Sequence, residues 1–373
     1  MSFEADPFEI RVSARRFTGW TSMGLSSGIE AAQSTMQVKL IGVYQDTDEQ
    51  VTAGDLVSAF VGGERLFSGY ADIFEDGTSA SSESLSIECR SRTVDIIESD
   101  ALPKTYKGIR FDRFVQELVA DFALEVVFED AAVAAQVIRV CKVAVGSKVF
   151  DEIDKQARDL GCLVTDDAAG RLVVTKAGAA GKSSTRLVRG RNCFETSGRW
   201  DMTQRYSHVE VKGQVATDLD VDVAATGGAR DPGVLRYRRL VIAPDKGLDR
   251  QGAIERARWE VVSRAGKSVG VQVTVGGWRQ EDGSLWRPNQ LVRYTDARKR
   301  MVDAELLVTQ RTFTLSNTDA RKTVLTLAPL AGFKPYVAGK PVLSGAGGRW
   351  FSLASGEQTT RPTQAEIDRA EGR

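Results

Sequence analysis

Apolar and polar residues alternate in short runs through the first part of the chain. The segment TMQVKLI, which begins at Thr35, has an apolar residue at every second position, and the runs LVSAFV and RLFSGY flank Gly62 and Gly63. A period of two is typical of strands that bury one face, and a diglycine between two such runs predicts a β-hairpin. The pattern therefore predicts a small antiparallel barrel or sandwich in residues 1–100.

The apolar spacing then changes to three and four residues. Apolar residues at i, i+3, i+4, i+7, i+8 and i+11 predict one helix from Phe111 to Phe122. A second helix is predicted with Ser147 as its N-cap and Gly161 as its stop. Its inward face would consist of Phe150, Ile153, Ala157 and Leu160. The strand LEVVF and the hairpin CLVTDDAAGRLVVTK complete an α+β domain over residues 101–185.

Strand patterns return in the second half of the chain. RYSHVEVKGQ alternates, residues 269–275 alternate strictly, and ELLVTQRTFTLS with RKTVLTLAP predicts a long hairpin that turns at residues 317–319. A helical segment around Ile254 and Val261, predicted to end before Gly266, interrupts these strands. The fold class is therefore mainly β with α+β insertions.

The length and the charge of the chain limit the classes of function that it can have. The 373 residues are enough for two to four packed units, and 50 basic residues balance 50 acidic ones. This balance excludes a surface that is basic overall, as a protein gripping nucleic acid or anionic membrane would need. No apolar run approaches the ~20 residues of a membrane span, and the start MSFEADPFEIRV does not resemble a signal peptide. We expect synthesis in the cytoplasm, no membrane insertion, and a flexible tail over residues 336–373 that orders only on a partner.

The residues that usually carry metal or phosphate chemistry are poorly placed. The four cysteines form no C-x-x-C pair, so neither a disulfide framework nor a zinc site is predicted. The single histidine, His208, lies in a strand pattern, where a structural role is favoured over acid–base chemistry. AGAAGKSS resembles a phosphate loop, but Lys176 stands where that motif needs a glycine. A flexible linker over residues 177–184 is the favoured interpretation.

Two kinds of charged cluster remain. Asp218, Asp220 and Asp222 could bind calcium, but a solvated strand face is favoured because the glycine and distal glutamate of an EF-hand are missing. The basic clusters are Arg186, Arg189 and Arg191; Arg236, Arg238 and Arg239; and Arg298, Lys299 and Arg300. They would suit either phosphate contacts or a solvated or subunit-facing strand edge. The edge is favoured because only Tyr237 interleaves with these cations, whereas a single-strand platform needs a series of aromatic residues. No catalytic, cofactor-binding or metal-binding residue is predicted.

One motif resembles a known family. The sequence VGGWRQEDGSLWRPNQLV is similar to the hub proteins of contractile phage tails, of the Mu-type tail protein P family. In that family a strand ends in a tryptophan, and a Leu-Trp-x-Pro-Asn sequence enters the next strand. The matching residues are Trp278, Leu285, Trp286, Pro288 and Asn289. Pro-Asn is turn chemistry, and the two tryptophans are interpreted as packing groups. The resemblance extends over most of residues 5–335.

The resemblance implies a structural role at the centre of the baseplate. Three copies would form a homotrimer in which each chain supplies two small antiparallel β-barrels, giving a ring of six. The second barrel would be split over residues 186–216 and 268–335, with an inserted helical or α+β segment at 217–267. The ring would adapt the sixfold tail tube to the threefold spike. DNA would pass through it without specific binding, and the partners would be the spike, tube and baseplate proteins.

Two alternatives stay open at this point. One is a tail-associated peptidoglycan hydrolase, which a pair of acids, or a cysteine and a histidine close in space, would favour. The other is the spike component of a secretion system, whose proteins are similar in fold. A threefold ring would favour the hub.

Overall fold

A computed structural model gives the fold. It describes residues 6–13, 15–17, 20–41, 52–78, 83–215, 223–244, 248–299, 301–317 and 319–337. Strands take up 48% of the structure and helices 20%, which confirms the predicted mainly β fold with α+β insertions. The chain divides into two compact units. The first consists of Met1–Lys176, Gly276–Trp278 and Gln310–Val324, and the second of Ala177–Val275, Arg279–Thr309 and Leu325–Arg373.

The elements of the first unit begin with a β region and continue into an α+β domain. The β region contains β1 (Phe8–Val12), β2 (Arg15–Phe17), β3 (Trp20–Gly28), β4 (Thr35–Ile41), β5 (Leu56–Val61), β6 (Glu64–Thr78) and β7 (Glu83–Ser91). The α+β domain contains α1 (Val94–Glu98), β8 (Lys104–Arg110), α2 (Phe111–Val119), β9 (Val126–Phe128), α3 (Ala131–Ala134), β10 (Val137–Val143), α4 (Val149–Asp159), β11 (Leu163–Asp166) and β12 (Leu172–Thr175).

The β region of the first unit is an antiparallel sheet in the order β3-β4-β7-β6-β5-β1-β2. The predicted hairpin at the diglycine is confirmed, because Val61 pairs with Glu64 across Gly62 and Gly63. Both glycines have positive φ, +56° and +82°, as a two-residue turn with the right-handed twist of its strands requires. The alternation in β4 buries Met36, whereas the residues before and after it are half-buried and exposed.

The helices of the α+β domain lie close to their predicted positions. Helix α2 buries the predicted stripe from Phe111 to Val119, but the helix predicted to reach Phe122 ends there, and Phe122 lies half-buried in the 3-10 turn that follows. Helix α4 begins at Val149 with Lys148 as N-cap, so the prediction that Ser147 caps it is wrong. The reason is tertiary: the carbonyl of Ser147 accepts a hydrogen bond from the backbone N–H of Ala101 (2.7 Å), which fixes this residue in a different contact. Gly161, with φ +79°, ends the helix as predicted.

In the described residues, the strands of the second unit belong to two sheets. Its elements are β13 (Leu187–Val188), β14 (Cys193–Trp200), β15 (His208–Val215), β16 (Val223–Arg230), β17 (Arg239–Ile242), α5 (Arg250–Lys267), β18 (Val269–Gly276) and β19 (Leu291–Asp296). Strands β20 (Met301–Ser316) and β21 (Lys322–Ala328) belong partly to each unit. Strand β14 pairs with β18, and β19 pairs with β13 and β20. The segment 208–215, assigned from sequence to the second barrel, pairs instead with β16 and β17.

Helix α5 packs on the sheet formed by β15, β16 and β17. Two glycines allow close backbone contacts of this helix. A Cβ at Gly227 of β16 would lie 2.2 Å from the backbone N of Ile254, so only glycine fits there. The helix does not stop before Gly266, as predicted, but runs to Lys267. A Cβ at Gly266 would lie 2.5 Å from the backbone N of Gly332, so this glycine serves a close approach rather than a helix end. No helix in the described part of the chain is long and apolar enough to span a membrane.

Candidate functional site

Trp278, the first tryptophan of the motif, is a core residue of the first unit. Its side chain is 3% exposed, and its ring stacks on Phe313 with centroids 5.1 Å apart. Phe8 meets it edge-on at 5.6 Å, and the Arg321 guanidinium lies 4.9 Å from its centroid. The indole N–H donates to the carbonyl of Thr314 (3.2 Å), which satisfies its one polar atom. Trp278 therefore joins β1 to the β20–β21 hairpin.

The rest of the motif lies in the second unit. Trp286 is 1% exposed, Leu285 is buried beside it in sequence, and Pro288 is half-buried. Asn289 has φ +67°, a left-handed conformation that asparagine tolerates better than most residues. Its Oδ1 accepts from the backbone N–H of Gly178 (2.7 Å), and its own N–H donates to Val308 (2.8 Å). The turn after Trp286 is thus tied to two other segments.

A buried glutamine, which sequence analysis missed, organises the inside of the loop. The Gln280 Oε1 accepts from the Ser183 hydroxyl (2.6 Å) and the Ser184 N–H (3.1 Å). Its Nε2 donates to the carbonyl of Leu285 (3.1 Å) and to Oε1 of Gln290 (3.0 Å). All four hydrogen bonds of the amide lie within the second unit, so the loop has one fixed shape. Only the tertiary contacts distinguish Gln280 from an ordinary polar loop residue.

The same contacts overturn the prediction of a flexible linker at residues 177–184. The N–H of Ser183 donates to the carbonyl of Leu291, and the N–H of Leu291 donates to Gly181, both at 2.8 Å. The segment therefore pairs with the start of β19. The small and polar residues of this segment form no apolar pattern from which an ordered structure could be predicted. The segment is ordered by backbone hydrogen bonds and not by side-chain burial.

Most members of the basic clusters have partners within the chain. Arg186 contacts Asp303 (2.6 Å) and Lys299 contacts Asp296 (2.6 Å). The Arg238 guanidinium donates to backbone carbonyls of residues 202 and 203. These cations are partly neutralised or engaged, so they are weaker phosphate ligands than the sequence alone implies. Arg300 and the three aspartates at 218, 220 and 222 lie outside the described residues.

Asp296 is the most buried carboxylate with a charged partner in this region. Burial alone would raise its pKa, but the hydrogen bond and charge of Lys299 outweigh burial and lower the pKa below its usual value. The pair stabilises the fold at neutral pH, and this contribution is lost as the pH falls through the lowered pKa. Lys299 also donates to the Thr196 hydroxyl (2.9 Å), which ties the β19–β20 turn to β14. The role of the pair is structural.

In the part of the chain that the structure describes, the histidine and the cysteines are not arranged as the hydrolase alternative would need. His208 contacts the Ser207 hydroxyl (3.0 Å) and the Tyr237 ring. All four cysteines are buried and none forms a disulfide, and burial raises the pKa of the Cys193 thiol to about 12, so it is not a thiolate nucleophile at neutral pH. Within the described ranges, no three histidine, cysteine, aspartate or glutamate residues are grouped as a metal site would require.

Comparisons with known families give consistent matches along the chain. Residues 8–91 match the model of the N-terminal domain of Mu phage baseplate assembly protein GpP-like proteins. Residues 93–176 match the second domain of baseplate hub protein gp44-like proteins, and residues 249–336 the fourth domain of Mu phage baseplate assembly protein GpP. The baseplate hub protein gp44 of Escherichia phage Mu is 29% identical over 336 residues, covering 87% of this chain and 88% of that protein.

Solved structures show the same fold. The 43 kDa tail protein of prophage MuSo2 from Shewanella oneidensis has a TM-score of 0.78 at 22% identity, covering 89% of this chain and 100% of that one. A tail protein from Neisseria meningitidis has a TM-score of 0.76 at 20% identity, covering 89% and 99%. A component of the Escherichia coli type VI secretion system has a TM-score of 0.54 at 8% identity, covering 89% and 80%. The fold is thus shared with tail proteins and, more distantly, with a secretion component.

Proposed function

Because the chain belongs to the Mu-type baseplate hub family and is a component of the tail baseplate, we propose that three copies close into a ring that joins the tail tube to the spike. The observation that carries this proposal is the match to the Mu hub protein over 336 residues, which covers 87% of this chain and 88% of that protein. The ring would accommodate a sixfold tube on one side and a threefold spike on the other. The chain would act by assembly and not by catalysis.

An open strand edge in the second unit supports the proposed contact between subunits. Strand β14 ends its sheet, and within the described residues it has one strand partner, β18. Phe194 on this strand is 72% exposed and Trp200 is 48% exposed. An open strand edge with large apolar side chains is a surface on which another chain can pair, and it promotes aggregation if it stays uncovered. A neighbouring subunit would cover this edge and remove both side chains from water.

The charge distribution supports passage of DNA without strong binding. The chain carries no net charge, and several cations of the basic clusters are engaged by carboxylates or carbonyls. Each phosphate that a channel neutralised would add salt-dependent affinity and oppose ejection. The proposed ring therefore has a neutral or acidic lumen.

The secretion-spike alternative has weaker support. Its relative shares the fold at 8% identity, whereas the phage relative is similar in sequence along most of the chain. We therefore place the chain in a phage-type tail.

The oligomeric mass tests the ring. Multi-angle light scattering of the purified chain is expected to give about three times 40.6 kDa, because a closed ring buries each open edge. The measurement should be repeated with the cognate spike added. A monomer at every concentration, with and without the spike, would contradict the trimer.

A further inference from the structure

Strands β8 and β10 form a two-stranded antiparallel ribbon in the α+β domain. One face of the ribbon belongs to the hydrophobic core: Tyr106 meets Phe114 edge-on at 5.0 Å, and Ile138 and Cys141 are buried. This packing fixes the backbone of both strands. The opposite face is therefore a rigid surface rather than a mobile loop.

That outer face pairs cations with exposed valines. Lys107 lies directly opposite Val140, and Arg110 lies opposite Val137, in the register of the two strands. Val140 is 63% exposed and Val137 is 59% exposed. Threonine, which occupies position 105 on the same face, suits an exposed strand as well as valine does. The strand structure alone therefore does not require valine at positions 137 and 140. Water-facing valines that alternate with cations thus form a surface with both apolar and charged character.

The charge of the ribbon is of one sign. The strands KTYKGIR and VIRVCKV contain five cations and no acidic residue. Lys104 contacts Glu117 and Arg110 contacts Asp112, but Lys107, Arg139 and Lys142 make no ion pair within the part of the chain that the structure describes. Their mutual repulsion is relieved only by counter-ions or by an acidic partner.

We propose that the outer face of the β8–β10 ribbon binds an acidic surface of another protein that also carries apolar side chains. The alternation of charge and valine selects this partner: carboxylates would pair with Lys107, Arg139 and Lys142, and apolar groups would cover Val137 and Val140. DNA phosphates would use the cations but leave the valines in water. A second copy presenting the same ribbon would be repelled. The proposal holds whether or not the chain is a trimer.

Binding of two labelled probes to the full chain tests the proposal. The first is a decapeptide of alternating glutamate and valine, and the second is a short DNA duplex, both followed by fluorescence anisotropy at moderate salt. The charge variant is Lys107→Glu, Arg139→Glu, Lys142→Glu, and the apolar variant is Val137→Thr, Val140→Thr. The control carries Arg191→Glu, Lys212→Glu and Arg258→Glu, three exposed cations elsewhere with the same change in net charge.

We expect the wild type and the control to bind the peptide similarly. The charge variant should bind it at least about tenfold more weakly, and the apolar variant should lose affinity with an unchanged salt slope. Failure of the wild type to bind the peptide would overturn the proposal, as would equal losses in variant and control. DNA binding tighter than peptide binding, and lost in the charge variant, would make the ribbon a DNA-contact surface. A lower oligomeric mass of the charge variant would assign the ribbon to contacts between copies.

Discussion

Replacing Trp286 or Trp278 by alanine is expected to lower the free energy of unfolding by about 3–5 kcal/mol, as for other large buried aromatics. Each substitution removes a side chain that is almost fully buried, and Trp278 also loses its stacking on Phe313 and its hydrogen bond to Thr314. Because the two residues belong to different units, each variant should weaken the unfolding transition of its own unit. Denaturant titration followed by circular dichroism measures both effects.

Trp200→Ala is the matched control for these variants. Trp200 is the half-exposed tryptophan of β14, so its loss should cost less than about 1 kcal/mol in the isolated chain. Losses equally small for Trp278 and Trp286 would show that the motif is not a core feature, and would make its residues candidates for partner contacts.

Replacing Asp231 by alanine is the second large effect that we expect, at about 3–5 kcal/mol. Its carboxylate accepts two hydrogen bonds from the Arg205 guanidinium, at 2.8 and 2.9 Å, and one from the N–H of Gly233 at 2.9 Å. Asp231 is buried and the Arg205 side chain is only 11% exposed, so the variant leaves a largely covered guanidinium without its counter-charge. Denaturant unfolding of the variant measures this loss.

Two further variants separate the ion pair from general damage. Asp201→Ala removes a carboxylate paired with the largely exposed Arg199, and should destabilise the chain much less than Asp231→Ala. The double variant Arg205→Leu, Asp231→Leu should be more stable than Asp231→Ala alone, because no unpaired charge remains. A double variant as unstable as the single one would show that packing, and not the charge, explains the effect.

Local patterns predicted the elements whose burial follows the sequence period. The apolar stripe of α2 and the diglycine hairpin lie where the spacing placed them, because both are determined by residues close in sequence. The wrong predictions concern residues whose conformation depends on a contact with a residue far away in the sequence. Ser147 bonds to Ala101 instead of capping α4, and Gly266 faces Gly332 instead of ending α5. Neither contact has a signal in the local sequence.

The sequence showed the motif that indicates the family, but not the contacts that its residues make. The spacing of Trp278, Leu285 and Trp286 carried the family resemblance, and the comparisons confirm that family. Gln280 could not be found in the same way, because an amide in a polar loop gives no pattern until Ser183 is brought beside it. The basic ribbon was missed for a related reason: its cations lie on two strands about 30 residues apart, which only the β8–β10 pairing places on one face.

Cryo-electron microscopy of the tail tip tests the hub most directly. Tail particles that contain this chain should show three copies in one ring, between the end of the sixfold tube and the base of the spike, with an open channel along the axis. The same particles made without the chain should lack a joined spike. A chain found at the periphery of the baseplate, or present in a number other than three around the axis, would contradict the proposed ring.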